Sequence, residues 1–204
     1  QIQRERGASC SAFDVNGACS GFIYALEIAS MYFQTGKVNH VLVIAAEAMS
    51  KVIDWSDRAT CVLFGDGAGS VVLGKGHDLL AIDTTALGDA ELLNIPHVEG
   101  NSPFTTKKGF LPYLQMKGQA VFKFAVPAIC KGIKFILEES DCSISDITFV
   151  LPHQANLRIL SSALQKLDID EKKLVNNIEK YGSTCSASIP LLLDELNKSG
   201  RLKK

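Results

Sequence analysis

A long apolar segment that follows a cysteine-containing turn constrains this chain more than any other feature. Residues 21–33 read GFIYALEIASMYF and are apolar on nearly every side, with one acidic interruption at Glu27. This pattern predicts a helix that is buried on most faces. Asn16 and Gly17 precede the segment, and both residue types tolerate the positive φ of a tight turn. The sequence therefore predicts a buried helix with Cys19 in its first turn.

The position of Cys19 has two interpretations. At the N-terminus of a helix, unpaired backbone N–H groups and the helix dipole favour a thiolate over a thiol. A free cysteine is also often a small buried apolar residue. The first interpretation predicts a lowered pKa and makes Cys19 the most reactive of the six cysteines.

Strand patterns lie on both sides of the predicted helix. Residues 11–15 are a short strand candidate, and residues 40–47 form a continuous apolar and β-branched run that predicts a strand covered on both faces. Strand, buried helix and strand in this order predict a crossover unit in a layered α/β protein. Further strands are predicted at residues 71–73, 79–87 and 147–151.

Helices dominate the second part of the chain. A long helix is predicted over residues 118–140, and Pro127 is expected to kink or divide it. Shorter helices are predicted from residue 157 and over residues 189–198, where a proline in the first turn favours a helix start. Residues 91–114 show no strong period, so we expect a long excursion or lid there.

The glycine-rich stretch at residues 65–69, GDGAG, resembles a phosphate-binding loop only superficially. A dinucleotide loop leads from a strand into a helix, whereas this stretch leads into the predicted strand at residues 71–73. The glycines are therefore expected to serve tight backbone packing.

Composition excludes several classes of function. The net charge is −1, and the only basic cluster is RLKK at residues 201–204, which argues against nucleic acid as a partner. The longest apolar runs are too short to cross a bilayer, so no membrane partner is expected. The six scattered cysteines contain no C-x-x-C pair and indicate a reducing cytoplasm. The four histidines have no metal-ligand spacing, and neither metal nor cofactor is expected.

Three chemically capable segments lie where a strand or loop meets a helix. They contain Cys19, His153 and the small-residue loop at residues 183–188. Edges of this kind are where layered α/β proteins build their sites. A cysteine with a histidine within reach is the minimum for acyl transfer through a thioester. His153 follows Pro152, however, and a structural loop residue is the competing interpretation.

Four motifs in order resemble the β-ketoacyl-acyl-carrier-protein synthase III family. They are ACSGF at residues 18–22, LFGDGAG at 63–69, PHQANLR at 152–158 and YGST at 181–184. The resemblance implies an α/β fold of the thiolase-like type, in which two related halves each layer a mixed sheet with buried helices. Residues 1–115 would be the C-terminal part of an incomplete first half, and residues 116–204 most of the second. It also implies a homodimer.

The resemblance assigns catalytic roles to three residues. Cys19 would take an acyl group from acyl-CoA, which is a substrate and not a cofactor, and its backbone N–H would serve one oxyanion. Malonyl-acyl-carrier protein would then lose carbon dioxide, and a His and an Asn of the family stabilise the resulting enolate. His153 matches the His, and Ser183 stands at the position of the Asn.

The resemblance also assigns binding residues. Asn156 matches a residue that holds the pantetheine arm, Arg58 matches a contact to the CoA nucleotide, and Phe64 belongs to the substrate-binding set. Arg158 matches a basic residue that meets the acidic carrier protein. Without the resemblance, both arginines would be interpreted as solvated surface charges.

Two departures from the family pattern leave the function open. The chain begins inside the first half and stops before a glycine-rich strand pair, so we expect a fragment, a truncated gene product or part of a larger protein. Ser183 offers one hydroxyl donor in place of an amide. A condensing acyltransferase and a degenerate or truncated thiolase-fold paralogue therefore both remain. A Cys–His hydrolase is disfavoured because motifs for pantetheine and carrier protein surround the pair.

Overall fold

The computed structural model describes residues 1–96 and 113–202. Within these ranges the chain forms an α/β arrangement of six α-helices and four strands. In chain order they are α1 (Ile2–Glu5), α2 (Gly21–Gln34), β1 (His40–Glu47), β2 (Gly67–Gly74), β3 (Leu93–Asn94), β4 (Gln115–Met116), α3 (Gly118–Glu139), α4 (Leu157–Lys166), α5 (Ile178–Tyr181) and α6 (Ser188–Lys198). Short 3-10 turns precede α2 and α6 and carry the residues of chemical interest.

The main sheet pairs β1 with β2 in antiparallel register, from His40 opposite Gly74 to Glu47 opposite Gly67. The strand predicted at residues 40–47 is thus confirmed. Its burial alternates, because Val43 and Ala45 are buried while Leu42 and Ile44 are 53% and 40% exposed. The prediction that both faces are covered is therefore wrong for the described part of the chain, where only one face meets a helix layer.

Three other strand predictions are corrected by the structure. Residues 11–15 and 79–87 form no strand, and residues 147–151 contribute only an isolated parallel bridge from Val150 to Leu174. A strand exists only where a neighbour satisfies its N–H and C=O groups, and an apolar pattern does not supply that neighbour. With no strand before α2 in the described ranges, the predicted crossover unit is not formed there.

The buried face of the main sheet forms the first core. Phe22 of α2 packs with Val43, Ala45 and Ala187, and side chains of α6 complete the cluster. Helix α2 ends at Gln34, and Gly36 adopts a φ of +70° just beyond it, the left-handed conformation that glycine favours after a helix.

Helix α3 packs against α4 in a second core. Val126, Ile159 and Ala163 are all buried in this contact. Of the two outcomes predicted for Pro127, division of the helix does not occur, because α3 continues as one helix from Gly118 to Glu139. Packing of the flanking turns against α4 offsets the loss of one backbone donor.

The glycine-rich stretch packs tightly, as predicted. Gly69 lies on β2 beneath α6, where an added Cβ would come 2.9 Å from the Cβ of Pro190. The stretch enters strand β2 and not a helix, so it does not form a phosphate-binding loop.

The predicted excursion at residues 91–114 falls mostly outside the described residues. Strands β3 and β4 pair at its two ends, with Leu93 opposite Met116. Among the helices that the structure describes, none combines the length and the hydropathy needed to span a bilayer.

Candidate active site

Cys19 lies in a 3-10 turn, Ala18–Ser20, which leads directly into α2. Ala18 adopts a φ of +46°, which is uncommon for a residue with a side chain. Its N–H donates to the side-chain oxygen of Asn16 at 3.2 Å. The turn therefore holds a half-buried Cys19 sulfur at the N-terminal end of α2, as the sequence predicts. The prediction that this helix is buried on most faces is wrong in the described chain, because only Phe22 and Ala29 of α2 are buried and Met31 is 53% exposed.

The loop at residues 181–187 is fixed against the chain before β2. Ser183 donates its N–H to the carbonyl of Leu63 at 2.8 Å, and its own carbonyl accepts from the N–H of Gly65 at 3.0 Å. A Cβ on Gly65 would lie 2.0 Å from the carbonyl oxygen of Tyr181, so only glycine permits this approach. The glycine-rich motif thus positions the loop that carries Ser183 and Cys185.

Cys185 meets Cys19 across the site. It begins a second 3-10 turn, Cys185–Ala187, which packs against the turn of Cys19. Its φ is +51° and it is only 5% exposed. The Cys185 thiol donates to the Cys19 sulfur with an Sγ–Sγ distance of 3.6 Å. Strained backbone on both turns is typical of a functional site.

His153 contacts the same loop. Its Nδ1 lies 3.1 Å from the carbonyl oxygen of Cys185 and 3.2 Å from Oγ of Ser188. Both contacts are made by Nδ1, so Nε2 is left for other partners. The following residue, Gln154, is fully buried, donates to the carbonyl of Pro152 and accepts from the N–H of Asn177. These contacts anchor the backbone that presents the imidazole.

The surroundings of Cys19 favour its thiolate. The hydrogen bond from the Cys185 thiol, followed by the hydrogen bond and charge of His153, lowers the pKa of Cys19 to about 4, although burial of the sulfur opposes the shift. The contact with Cys19 and the burial of its own sulfur raise the pKa of Cys185 far above its usual value. One thiolate and one thiol therefore share the site, with the charge on Cys19. The predicted direction of the Cys19 pKa agrees with this arrangement.

Ser183 is buried, with 2% of its surface exposed. Its Oγ has no hydrogen-bond partner in the part of the chain that the structure describes. The neighbouring Thr184 does not compete for it, because Oγ1 of Thr184 lies 3.3 Å from Oγ of Ser188. A buried hydroxyl without a partner costs stability, and it is available to a ligand.

The predicted binding residues differ in their distance from the site loop and in their exposure. Phe64 belongs to the apolar cluster that includes Cys19 and Cys185. Asn156 caps α4, and its side-chain oxygen accepts from the N–H of Arg158 at 2.9 Å. Both Arg158, in the first turn of α4, and Arg58 are exposed. The structure thus brings Cys19, His153 and Phe64 to one loop, that of Ser183, and leaves the two arginines on the surface.

Two neighbours of the site were missed by sequence reasoning. Cys185 and Ser188 were included only as members of a small-residue loop, and no spacing rule links them to Cys19 or His153. Ser186 donates its hydroxyl to Oε1 of Glu47 at the end of β1, which ties this loop to the sheet. In the described ranges no group of three His, Cys, Asp or Glu side chains could hold a metal ion.

A mixed α/β fold, with a cysteine at the start of a helix and a histidine that contacts the same loop as the cysteine, defines the class of thiolase-like synthases. Residues 13–89 match the family described as 3-oxoacyl-[acyl-carrier-protein] synthase III, and residues 137–204 match the C-terminal part of the same family. The chain belongs to the 3-oxoacyl-[acyl-carrier-protein] synthase III family, also called β-ketoacyl-[acyl-carrier-protein] synthase III.

Individual relatives agree with this assignment. The chain is 43% identical to a β-ketoacyl-[acyl-carrier-protein] synthase III of Clostridium acetobutylicum, over all of this chain and 64% of the relative. The crystal structure of 3-oxoacyl-[acyl-carrier-protein] synthase III from Aquifex aeolicus superimposes with a TM-score of 0.89 at 42% identity, over 99% of this chain and 63% of that one. A priming β-ketosynthase from the R1128 polyketide pathway matches with a TM-score of 0.83 at 33% identity, over 98% of this chain and 61% of that one. The chain thus spans slightly less than two thirds of the relatives that it matches.

Proposed function

We propose that this protein is a condensing acyltransferase that starts fatty acid synthesis. It would join an acyl primer from acyl-CoA to malonyl-acyl-carrier protein with loss of carbon dioxide. The observation that carries the proposal is the position of Cys19 at the start of α2, with the Cys185 thiol 3.6 Å from its sulfur, and the lowered pKa of Cys19 agrees with it. Family membership supports it, because the relatives are named as synthases of this kind.

The first half-reaction uses the thiolate as a nucleophile. The Cys19 sulfur attacks the thioester carbonyl of acyl-CoA, and the oxyanion that forms is stabilised by the backbone N–H of Cys19. The carbon–sulfur bond to CoA then breaks, and CoA leaves as a thiolate that takes a proton from solvent. Because its pKa is lowered to about 4, Cys19 is a thiolate throughout the neutral range and needs no general base for this step.

The second half-reaction needs hydrogen-bond donors for a second developing oxyanion. Loss of carbon dioxide from the malonyl group leaves an enolate whose oxygen needs hydrogen bonds. His153 and the buried hydroxyl of Ser183 are the donors proposed, since the Ser183 Oγ has no other partner among the described residues. The enolate carbon attacks the acyl group on Cys19, the new carbon–carbon bond forms, and the Cys19 thiolate is released.

Substrate contacts complete the proposal. Phe64 would line the acyl site, Asn156 and Arg58 would hold the pantetheine arm and nucleotide of CoA, and the exposed Arg158 would meet the acidic carrier protein. We also propose that the protein is a homodimer and that it is cytoplasmic. Light scattering of the purified protein tests the dimer directly. None of these contacts requires a metal ion or a resident cofactor.

Acyl loading separates the proposal from a protein that has lost its chemistry. We expect isotope-labelled acetyl-CoA to transfer its acetyl group to Cys19, and malonyl-acyl-carrier protein to discharge it as a β-ketoacyl product. A degenerate paralogue that retains only the fold would take no label, or would load the acyl group without ever releasing a condensed product. The label should be absent from a Cys19→Ala variant.

A further inference from the structure

Two cysteines that are 166 residues apart in sequence bring their sulfur atoms together at the site. Acyl transfer requires only one of them. Cys19 is half-buried and therefore within reach of small molecules, whereas Cys185 is 5% exposed and lies behind it. A second thiol in contact with a nucleophilic thiolate has a chemistry of its own.

The geometry favours a covalent bond between the two sulfurs. A disulfide has an S–S distance near 2.05 Å, so the sulfurs, now 3.6 Å apart, must close by about 1.5 Å. Both thiols lie on 3-10 turns that already pack against each other. The turn of Cys185 is held by the contacts of Ser183 with Leu63 and Gly65 and by the bond from Ser186 to Glu47. Ordered turns in contact keep the effective concentration of one thiol at the other high.

We propose that Cys19 and Cys185 are a paired oxidation site, in which a peroxide oxidises Cys19 and Cys185 then closes an intramolecular disulfide. In the first step the Cys19 thiolate attacks one oxygen of hydrogen peroxide, the O–O bond breaks, and Cys19 sulfenic acid and hydroxide form. In the second step the Cys185 sulfur attacks the Cys19 sulfur. The S–O bond breaks, and the departing hydroxide combines with the Cys185 proton to give water. The thiolate and the thiol together lose two electrons, and one peroxide is reduced to one water and one hydroxide, which takes a proton from solvent to become the second water.

The order of the two steps follows from the charges. Cys19 carries the thiolate that peroxide requires, and Cys185 is a buried thiol while that charge is present. Once Cys19 becomes a neutral sulfenic acid, the negative charge that holds the proton on Cys185 is gone. Oxidation of Cys19 therefore makes it easier for Cys185 to lose its proton and attack the Cys19 sulfur.

The disulfide would protect Cys19 from irreversible oxidation and stop its reaction with acyl groups until a thiol reductant restores it. This consequence rests on the proposed function, whereas formation of the disulfide does not. Cys61 provides a matched comparison, because it packs in the same apolar cluster as Cys19 and Cys185 but makes no thiol contact with Cys19.

Peptide mapping of the complete protein after treatment with hydrogen peroxide tests the proposal. We expect a cross-linked pair of peptides containing Cys19 and Cys185, a mass loss of two hydrogen atoms, and full recovery of both thiols with dithiothreitol. Cys61→Ser should give the same cross-link. Cys185→Ser should give none and should instead accumulate the sulfinic acid of Cys19.

The map of the unsubstituted protein decides the question even if a variant fails to fold. Sulfinic acid on Cys19 with Cys185 still open to alkylation would overturn the proposal, as would a cross-link that joins Cys19 to any other cysteine. Acetyl loading of the reduced protein is measured in parallel. A cross-link without loading contradicts the proposed function alone, and loading without a cross-link contradicts the oxidation site alone.

Discussion

The Cys185 thiol donates to the Cys19 sulfur across 3.6 Å, and this single contact does most to set the charge of the nucleophile. The helix end at which Cys19 lies also favours a thiolate. A sequence can show the helix end, but the donor comes from a loop near the other end of the chain.

Cys185→Ala should raise the pKa of Cys19 by about one unit or more, because the largest cause that lowers it is removed. Only the thiolate reacts with iodoacetamide, so in the unsubstituted protein the alkylation rate of Cys19 stays constant over neutral pH and falls as the pH approaches 4. In the variant the fall begins at higher pH. Cys61→Ala, in the same apolar cluster, should leave the profile unchanged. Identical profiles for Cys185→Ala and the parent would refute this role of Cys185.

Ser183→Asn should raise malonyl decarboxylation by more than about tenfold, roughly 1.4 kcal/mol of transition-state stabilisation, while acyl loading changes little. Acyl transfer uses the Cys19 thiolate and its backbone N–H, neither of which involves residue 183. The Ser183 hydroxyl has no protein partner in the described residues, so it can donate to the enolate oxygen. The serine side chain is shorter than that of asparagine, whose amide would reach further. Release of labelled carbon dioxide from malonyl-acyl-carrier protein measures the difference. Equal rates would mean that the serine, or a water that it holds, already performs the role of the amide.

His153→Ala should lower decarboxylation by about 10²–10³-fold, the usual cost of one donor at a developing oxyanion. Loading of Cys19 should fall less, because the Cys185 thiol still stabilises the thiolate. The exposed His77 provides the matched control, and His77→Ala should behave like the parent. A parallel loss of loading and decarboxylation would instead assign His153 to activation of the nucleophile.

Gly65→Ala should lower the free energy of unfolding by about 1–3 kcal/mol, since the new Cβ would lie 2.0 Å from the Tyr181 carbonyl oxygen. Urea denaturation followed by circular dichroism measures the loss. Gly132→Ala in α3 is the control, because nothing lies within 4 Å of its added Cβ and helix propensity favours alanine there. If both variants were equally stable, the close approach of Gly65 to Tyr181 would not hold the site loop.

The sequence predicts those features that a local pattern encodes. Apolar periodicity placed α2 and α3, and the glycine-rich stretch was correctly assigned to packing because it leads into a strand. The exposure of Leu42 and Ile44 on the outer face of β1 was not predictable, because an apolar run does not show whether another element packs against that face. The strand expected at residues 79–87 failed for a related reason, because it has no partner in the described chain.

The site residues likewise include some that a local sequence pattern reveals and some that it does not. Cys19 and His153 could be selected because each occupies a recognisable edge between a strand or loop and a helix. Cys185 could not, because its importance lies in a contact across 166 residues of sequence and in a backbone φ of +51°. Likewise, the open hydroxyl of Ser183 depends on Thr184 lying against Ser188, a pairing that no spacing rule encodes.

In the proposed reaction, Cys19 is the residue that receives the acyl group. The most direct measurement is peptide mass mapping after the complete protein is incubated with isotope-labelled acetyl-CoA and digested. We expect one labelled peptide, with the acetyl group on Cys19. The label should disappear both in Cys19→Ala and after treatment with hydroxylamine, which cleaves thioesters. Label on another cysteine, or no label on a protein shown by circular dichroism to be folded, would contradict it.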